Sequence, residues 1–199
     1  MSFFNSAYRG TPPWDIGRPQ REFVRLADRG EVTGRVVDLG CGTGENAMMF
    51  AARGSSVLGI DAAPLAIAKA KKKEAERGSG AEFLVADALE LPSLGRTFDV
   101  ATDCGLFHTF SDSERNLFEQ SLGGVLRPGG KYFMLCFSDR EPADWGGPRR
   151  VRREEISGTF SKGWRVDSIR QARFEASHLG DGGHAWLASL TRLQPPQSG

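Results

Sequence analysis

The chain has 199 residues, of which 39% are hydrophobic and 26% are charged, and its formal net charge is +1. This composition fits one folded domain with a core and excludes an intrinsically disordered chain. The near-zero charge supplies no overall basic field, so we expect a small-molecule partner rather than nucleic acid.

The three cysteines, Cys41, Cys104 and Cys136, form no CxxC pair and are too scattered for a disulfide framework. We therefore expect a reducing, cytoplasmic environment. Residues 1–10 lack an apolar run of signal-peptide length, and no run of about 18 apolar residues follows, so we expect neither secretion nor a membrane span. We expect one domain over residues 1–193 and a disordered Pro/Gln/Ser-rich tail over 194–199.

Apolar runs of strand length alternate with helical patterns, which predicts an α/β fold with a mostly parallel sheet and helices on both faces. The predicted strands are 35–39, 56–60, 82–85, 98–102, 131–137, 164–172 and 184–192, and the predicted helices are 18–29, 44–52, 64–77, 112–126 and 152–160. The last two of these seven strands are joined through the glycine-rich residues 180–183 without a helix, so we expect a terminal antiparallel hairpin.

Some helix starts carry supporting chemistry. Pro19 and Pro64 suit a first helical turn, where the missing N–H costs nothing. Ser111 with Glu114 predicts a capping box.

The stretch 36–44, VVDLGCGTG, is an apolar strand that runs into three alternate glycines and then into a predicted helix. Gly40, Gly42 and Gly44 allow a sharp turn and let a ligand approach bare backbone. The third glycine comes one residue too early for the G-x-G-x-x-G dinucleotide pattern. Asp38, just before the loop, would attract a cationic or amino-bearing ligand and repel a pyrophosphate. The glycine spacing and Asp38 together argue against NAD as the bound cofactor.

DLGCGTG resembles the first motif of class I S-adenosylmethionine-dependent methyltransferases. The resemblance implies a single Rossmann-like domain that uses S-adenosylmethionine and releases S-adenosylhomocysteine. It also implies that Asp38, Gly40, Cys41 and Gly42 hold the methionine part of the cofactor.

Three further matches follow in the family's order. Asp61, with Ala62 after it, ends the second strand, where a carboxylate can accept both ribose hydroxyl hydrogens. Asp87 and Ala88, after the third strand, resemble the family's adenine side. LRPGGKYFMLCF at 126–137 resembles the turn before the fifth strand, where Pro-Gly-Gly is turn chemistry.

The loop 103–109, DCGLFHT, follows the fourth strand, at the sheet edge where ligands bind in open α/β folds. We expect Asp103 and Cys104 to lie beside the cofactor, and Phe107 and His108 beside the acceptor. His108 is the candidate base, because an imidazole titrates near neutral pH and can take a proton from a hydroxyl. The alternative is a histidine with structural hydrogen bonds. The loop lacks the signature motifs of nucleic-acid base methyltransferases.

Upstream, GTPPWDIGRPQ at 10–20 resembles a segment of the thiopurine and halide/thiol methyltransferase group that lies over the cofactor. The resemblance implies that residues 1–17 form a lid and that Trp14 closes the site, touching both cofactor and acceptor, with Tyr8 beside the acceptor. An aromatic face excludes water and attracts a sulfonium cation. The alternative is that Trp14 only anchors the first helix.

The polar segment 139–153 is inserted after the fifth strand, and we expect its Trp145 and Arg149 to line the acceptor pocket. With the N-terminal segment and the loop 103–109, it resembles a mycobacterial subgroup of heterocyclic-toxin methyltransferases that acts on hydroxyquinolones. The alternative is a solvated helix start, and the lysines at 71–73 are expected to be a solvated face.

These observations predict methyl transfer to a small molecule, namely O- or N-methylation of an aromatic heterocycle such as a hydroxyquinolone. The alternatives are a thiol or halide methyltransferase, a non-catalytic cofactor-binding module and, least supported, a dehydrogenase. No histidine or cysteine spacing suggests a metal site, so we expect transfer without a metal. We expect a monomer or a homodimer.

Overall fold

The computed structural model describes residues 3–142 and 146–194. In these residues seven strands form one sheet in the order β3-β2-β1-β4-β5-β7-β6. The strands are β1 (Arg35–Leu39), β2 (Ser56–Asp61), β3 (Glu82–Val85), β4 (Phe98–Cys104), β5 (Leu126–Phe137), β6 (Trp164–Phe174) and β7 (Gly183–Arg192).

Strands β1 to β5 pair in parallel with one another, and β7 pairs antiparallel with both β5 and β6. The predicted mostly parallel sheet with a terminal hairpin is therefore confirmed. β5 begins five residues earlier than predicted, because Leu126 already pairs with Phe98 across an irregularity in the register.

The described residues form six α-helices, of which the first two precede β1: α1 (Phe3–Ala7), α2 (Arg21–Asp28), α3 (Glu45–Ala52), α4 (Pro64–Arg77), α5 (Asp112–Val125) and α6 (Arg153–Thr159). Within the described ranges, every helix is too short or too polar to cross a bilayer. Pro64 opens α4 as predicted, and Ser111 and Glu114 form the predicted capping box of α5. Pro19, however, lies before the first turn of α2, whose N-cap is Gln20.

The apolar side chains of the sheet point alternately to two cores, because successive residues of a strand face opposite sides. Val36 packs with the core under α2, α3 and α4, whereas Val37 packs with the core under α5 and α6. Helices thus cover both faces, as predicted.

The central strands β1 and β4 are neighbours, although two βα units separate them in sequence. After β1 the chain continues through β2 and β3 on one side, and after β4 it continues to β5 on the other. The strand order thus reverses between β1 and β4, and open α/β sheets bind their ligands at such a point, in the crevice outside the carboxyl ends of the strands.

Candidate active site

The loop after β1 presents bare backbone at this crevice. Gly40, Gly42 and Gly44 have φ values of 62°, 56° and 86°, in the left-handed region that only glycine adopts without strain. A Cβ on Gly42 would lie 2.8 Å from the Tyr8 hydroxyl oxygen, so this position also needs the missing side chain. Cys41, between the glycines, is half-buried, and burial raises the pKa of its thiol well above the usual range.

Asp38 is buried at the end of β1, with 1% of its surface exposed. One carboxylate oxygen accepts a hydrogen bond of 2.7 Å from the Thr102 hydroxyl. The other oxygen, Oδ2, has no hydrogen-bond partner among the described residues. Burial raises the pKa of Asp38 to about 7. A buried oxygen that accepts no hydrogen bond lowers the free energy of unfolding. An amino group or a nearby cation of a ligand would offset that loss.

Asp61 ends β2 and reaches back to the glycine loop. Its Oδ2 accepts the Gly42 N–H at 2.9 Å, and its Oδ1 accepts the Ala63 N–H at 2.8 Å. Each carboxylate oxygen has a second lone pair, so the half-buried group can still accept hydroxyl hydrogens. Burial raises the pKa of Asp61. Ala62 is exposed beside it.

Asp87 caps the 3₁₀ helix Ala88–Leu94 by accepting the Leu89 N–H at 2.9 Å. Its side chain is exposed, whereas Ala88 is buried in the core. The adenine-side role of both residues stays a prediction.

Two predicted site residues at or after the end of β4, Asp103 and Phe107, are buried inside the fold. Asp103 is fully buried, and its carboxylate accepts the Leu106 N–H, the Phe107 N–H and the Tyr132 hydroxyl at 2.7, 3.0 and 2.9 Å. Burial raises the pKa of Asp103 to about 7. Phe107 is likewise fully buried in the core, beneath the Arg115 guanidinium. Neither side chain reaches the surface, and the predicted contacts of Asp103 with the cofactor and of Phe107 with the acceptor stay predictions.

His108 lies where the sequence placed it, next to half-buried Cys104 and Gly105, but it is held in a specific state. Its ring stacks on Phe137, with centroids 5.2 Å apart and an interplanar angle of 7°, and lies 5.8 Å from the Phe174 ring. The Phe137 N–H donates to His108 Nδ1 at 3.2 Å. In the neutral ring Nε2 then carries the proton.

Burial, followed by the charges of Arg150 and Arg115, lowers the pKa of His108 to about 3. A neutral ring whose lone pair is already occupied favours a donor role at Nε2 over the predicted base role. Nε2 lies beside Gly105, where an added Cβ would be 3.3 Å away.

The N-terminal segment lies over the glycine loop, as expected for residues 1–17 as far as they are described. The Trp14 indole donates to the Tyr8 hydroxyl at 2.9 Å, and Tyr8 is buried against the loop. Burial raises the pKa of Tyr8 beyond its normal range. Tyr8 therefore lies against Gly42, and its predicted contact with the acceptor stays a prediction.

A polar network that sequence reasoning missed fastens this segment. The Thr43 hydroxyl donates to Asp15 at 2.8 Å and accepts from Lys73 at 2.7 Å, and Lys73 also pairs with Glu45. Lys73 was expected on a solvated face, but only 25% of its side chain is exposed. No local pattern marks these contacts, because they join segments about 30 residues apart in sequence.

The insertion after β5 is braced by arginines. Arg149, predicted to line the pocket, pairs with Asp112 and Glu155 instead. Arg150 donates to the carbonyls of Pro142 and Gly146 at 2.7 and 2.9 Å, and its guanidinium lies 5.6 Å from the Phe137 ring. Arg150 thus lies beside the aromatic cluster. Trp145 lies outside the described residues.

No cluster of three or more potential metal-ligating side chains occurs in the described part of the chain. Metal-free transfer remains a prediction.

Comparison with known proteins identifies this arrangement. Residues 36–130 match the model of a methyltransferase domain. The chain is 39% identical to the 2-heptyl-1-hydroxyquinolin-4(1H)-one methyltransferase of Mycobacteroides abscessus over 192 residues, 92% of this chain and 84% of the relative. The chain belongs to the methyltransferase family.

Two further similarities concern sulfur chemistry. This methyltransferase is 29% identical to the probable thiol methyltransferase 2 of Arabidopsis thaliana, over 70% of this chain and 62% of the relative. It also resembles a solved structure described as the conversion of a disulfide bond into a thioacetal group during echinomycin biosynthesis, with a TM-score of 0.87 and 33% identity. That match covers 96% of this chain and 92% of the other.

The methyltransferase uses S-adenosylmethionine and a small-molecule acceptor. The described residues fit this cofactor, because the glycine loop leaves its backbone bare and buried Asp38 has an oxygen without a donor. When bound, the cofactor supplies an electrophilic methyl group on a sulfonium. The protein residues hold it in place and shield it from water.

Proposed function

We propose that this methyltransferase methylates a hydroxyl oxygen or a ring nitrogen of an aromatic heterocycle such as a hydroxyquinolone. The observation that carries the proposal is the aromatic cluster of His108, Phe137 and Phe174 beside the loop after β4. These rings are buried, with at most 5% of each residue exposed. Flat rings beside positive charge suit a planar heterocycle with polar substituents. The similarity to the hydroxyquinolone methyltransferase supports the same acceptor class.

We further propose how the cofactor is held. Asp38 and the backbone of Gly40, Cys41 and Gly42 hold the methionine part, Asp61 accepts the ribose hydroxyls, and Trp14 closes the site. Two observations support these roles: Asp38 Oδ2 has no hydrogen-bond donor among the described residues, and Asp61 accepts the Gly42 N–H of the glycine loop. Alignment of acceptor and methyl group in a dry site is worth several kcal/mol in comparable reactions, roughly 7 to 11 at best.

A thiol acceptor is the second candidate, because the similarity to the probable thiol methyltransferase points to it. A thiolate needs no base from the protein, and the N-terminal segment resembles that group. Methylation of nucleic acid is not part of the proposal, since the net charge is only +1. We propose that the enzyme lies in the reducing cytoplasm, which its three free cysteines support. We also propose a monomer or a homodimer.

A side-by-side assay separates the two candidates. Purified enzyme and S-adenosylmethionine are incubated with a hydroxyquinolone or with a small thiol, and the methylated product is identified by mass spectrometry and NMR. We expect a higher kcat/KM for the heterocycle, with the methyl group on oxygen or nitrogen. A higher kcat/KM for the thiol would reverse the assignment.

A further inference from the structure

The groups around the proposed acceptor pocket donate hydrogen bonds or carry positive charge, and the carboxylates near them are engaged. The Nε2 atom of His108 makes no hydrogen bond to any residue that the structure describes, and it faces Gly105. Since Nδ1 is fixed by the Phe137 N–H, Nε2 offers a proton and no lone pair. A hydrogen-bond donor therefore lies just after β4, on a side chain whose residue is 5% exposed.

Two guanidinium groups reinforce this polarity. Arg150 lies over Phe137, and Arg115 lies over Phe107 with 2% of its surface exposed. Two nitrogen atoms of Arg115, Nε and Nη2, have no hydrogen-bond partner among the described residues. Both charges act on His108 and, after burial, help to keep its ring neutral by lowering its pKa. The same field favours a negative charge on a bound molecule.

Apart from Asp38 and Asp61, which we assign to the cofactor, the described carboxylates on the surrounding elements already have donors. Asp103 in β4 accepts three hydrogen bonds, and Glu175 after β6 pairs with two arginines of the N-terminal region. Glu155 of α6 accepts from three arginines, including Arg115. After β5, Glu141 accepts the His184 N–H, and Asp139 accepts from an indole.

The cysteine thiols behave similarly. Burial raises the pKa of Cys104 well above its usual range and that of Cys136 likewise. Apart from Asp38 and Asp61, which we assign to the cofactor, no described carboxylate, thiolate or imidazole near His108 is thus free to take a proton from a hydroxyl at neutral pH.

We propose that the pocket binds its acceptor as a preformed anion, the conjugated anion of an aromatic hydroxyl or N-hydroxyl that ionises in water, and that the Nε2–H of His108 donates to an oxygen of this anion. The inference rests on the proposed function and narrows its substrate class to acidic hydroxyl heterocycles. The hydroxyl proton goes to water before transfer. A lone pair of the acceptor oxygen then forms the new O–C bond, the S–C bond breaks, and its electron pair stays on sulfur.

The test compares acceptors whose hydroxyl groups have different pKa values. kcat/KM of the full-length enzyme is measured from pH 5 to pH 9 with three hydroxylated heterocycles whose pKa values are spaced by about one unit. We expect kcat/KM to rise with pH and the midpoint to follow each acceptor's own pKa. One common midpoint for all three acceptors would show a titrating enzyme base and would overturn the inference.

Two substitutions of His108 separate donor from base. In His108→Gln the side-chain amide can still donate but cannot act as an imidazole base, so we expect kcat/KM within about tenfold of wild type. His108→Phe removes the donor, so we expect KM for the anion to rise at least tenfold while S-adenosylhomocysteine affinity stays unchanged. General-base help is typically worth about a hundredfold to ten-thousandfold, so a loss of that size in kcat for both variants would contradict a donor.

Asp144→Asn tests a carboxylate outside the described residues. An unchanged pH profile supports the inference, and loss of the pH-dependent rise would assign the base to Asp144 and overturn it. If none of the heterocycles is methylated at any pH although S-adenosylhomocysteine binds, the proposed function itself fails. That outcome differs from methylation with a common midpoint, in which only the inference fails.

Discussion

Asp61 joins two parts of the cofactor site, because its oxygens hold the glycine loop and remain open to further donors. We predict that Asp61→Ala weakens binding of S-adenosylhomocysteine by about 2 to 4 kcal/mol, the cost of losing charge-assisted hydrogen bonds. Isothermal titration calorimetry measures this directly.

Asp99 provides the matched control. It also accepts a backbone N–H, that of Arg35, but at the opposite edge of the sheet, where β4 begins. Asp99→Ala should leave the affinity unchanged. Wild-type affinity in Asp61→Ala would refute the ribose assignment.

Single residues also show where sequence reasoning stops. The motif placed Asp38 and Asp61 at the crevice, because strand ends and glycine turns are local signals. The state of His108 was not predictable, since the Phe137 N–H that fixes it is 29 residues away in sequence. The burial of Asp103 and Phe107 was not predictable for a similar reason: periodicity does not tell which residues of a loop turn inward.

At the scale of elements, the N-terminal segment is held to the glycine loop mainly by polar contacts. Thr43 stands between Asp15 and Lys73 in this network. We predict that Thr43→Val, which keeps the shape and removes the hydroxyl, increases amide exchange over residues 8–16. Hydrogen bonds to charged groups contribute about 1.5 to 3 kcal/mol, so exchange should accelerate at least tenfold.

Hydrogen-exchange mass spectrometry makes the comparison with and without S-adenosylhomocysteine. We expect bound cofactor to slow exchange in the same segment, because it lies over the loop. β1 serves as the internal control, and its exchange should not change. Equal exchange of residues 8–16 in all samples would show a fixed arm that does not respond to the site.

All seven strands and the five longer helices were predictable, because their apolar periodicity and caps are local. The five-residue α1 and the 3₁₀ helix Ala88–Leu94 were not. Elements this short carry too few periodic positions to be distinguished from a loop, and α1 is held by a long-range contact, the Leu65 N–H donating to Asn5 at 2.9 Å.

At the scale of the whole molecule, buried titratable groups of the site make the stability of the folded protein depend on pH. Because burial raises the pKa of Asp38 to about 7, the folded protein holds a proton there that the unfolded chain loses near pH 4. The contribution of Asp38 to stability therefore falls as pH rises from about 4 to about 7. His108 acts oppositely, since its lowered pKa reduces stability as pH falls from about 6.5 towards 3.

We predict that Asp38→Asn raises the free energy of unfolding without cofactor by on the order of 1 to 3 kcal/mol at pH 8, and much less at pH 4. The same variant should bind S-adenosylhomocysteine more weakly than wild type. Urea denaturation at both pH values and calorimetry measure the two effects.

Asp99→Asn is the control with the opposite sign. The Arg35 N–H, with Arg127, lowers the pKa of Asp99, so this variant should lose stability at pH 8. If Asp38→Asn is destabilised at pH 8 like Asp99→Asn, Asp38 supports the fold and is not strained for ligand binding.

We place cofactor and acceptor together at the loops after β1 and β4. A crystal structure of the enzyme with S-adenosylhomocysteine and a hydroxyquinolone tests this placement most directly. We predict the methionine part over Gly40 and Gly42, the ribose at Asp61, and the heterocycle against His108 and Phe137 with an oxygen at Nε2. A heterocycle bound away from the aromatic cluster, or a cofactor that does not touch the glycine loop, would contradict it.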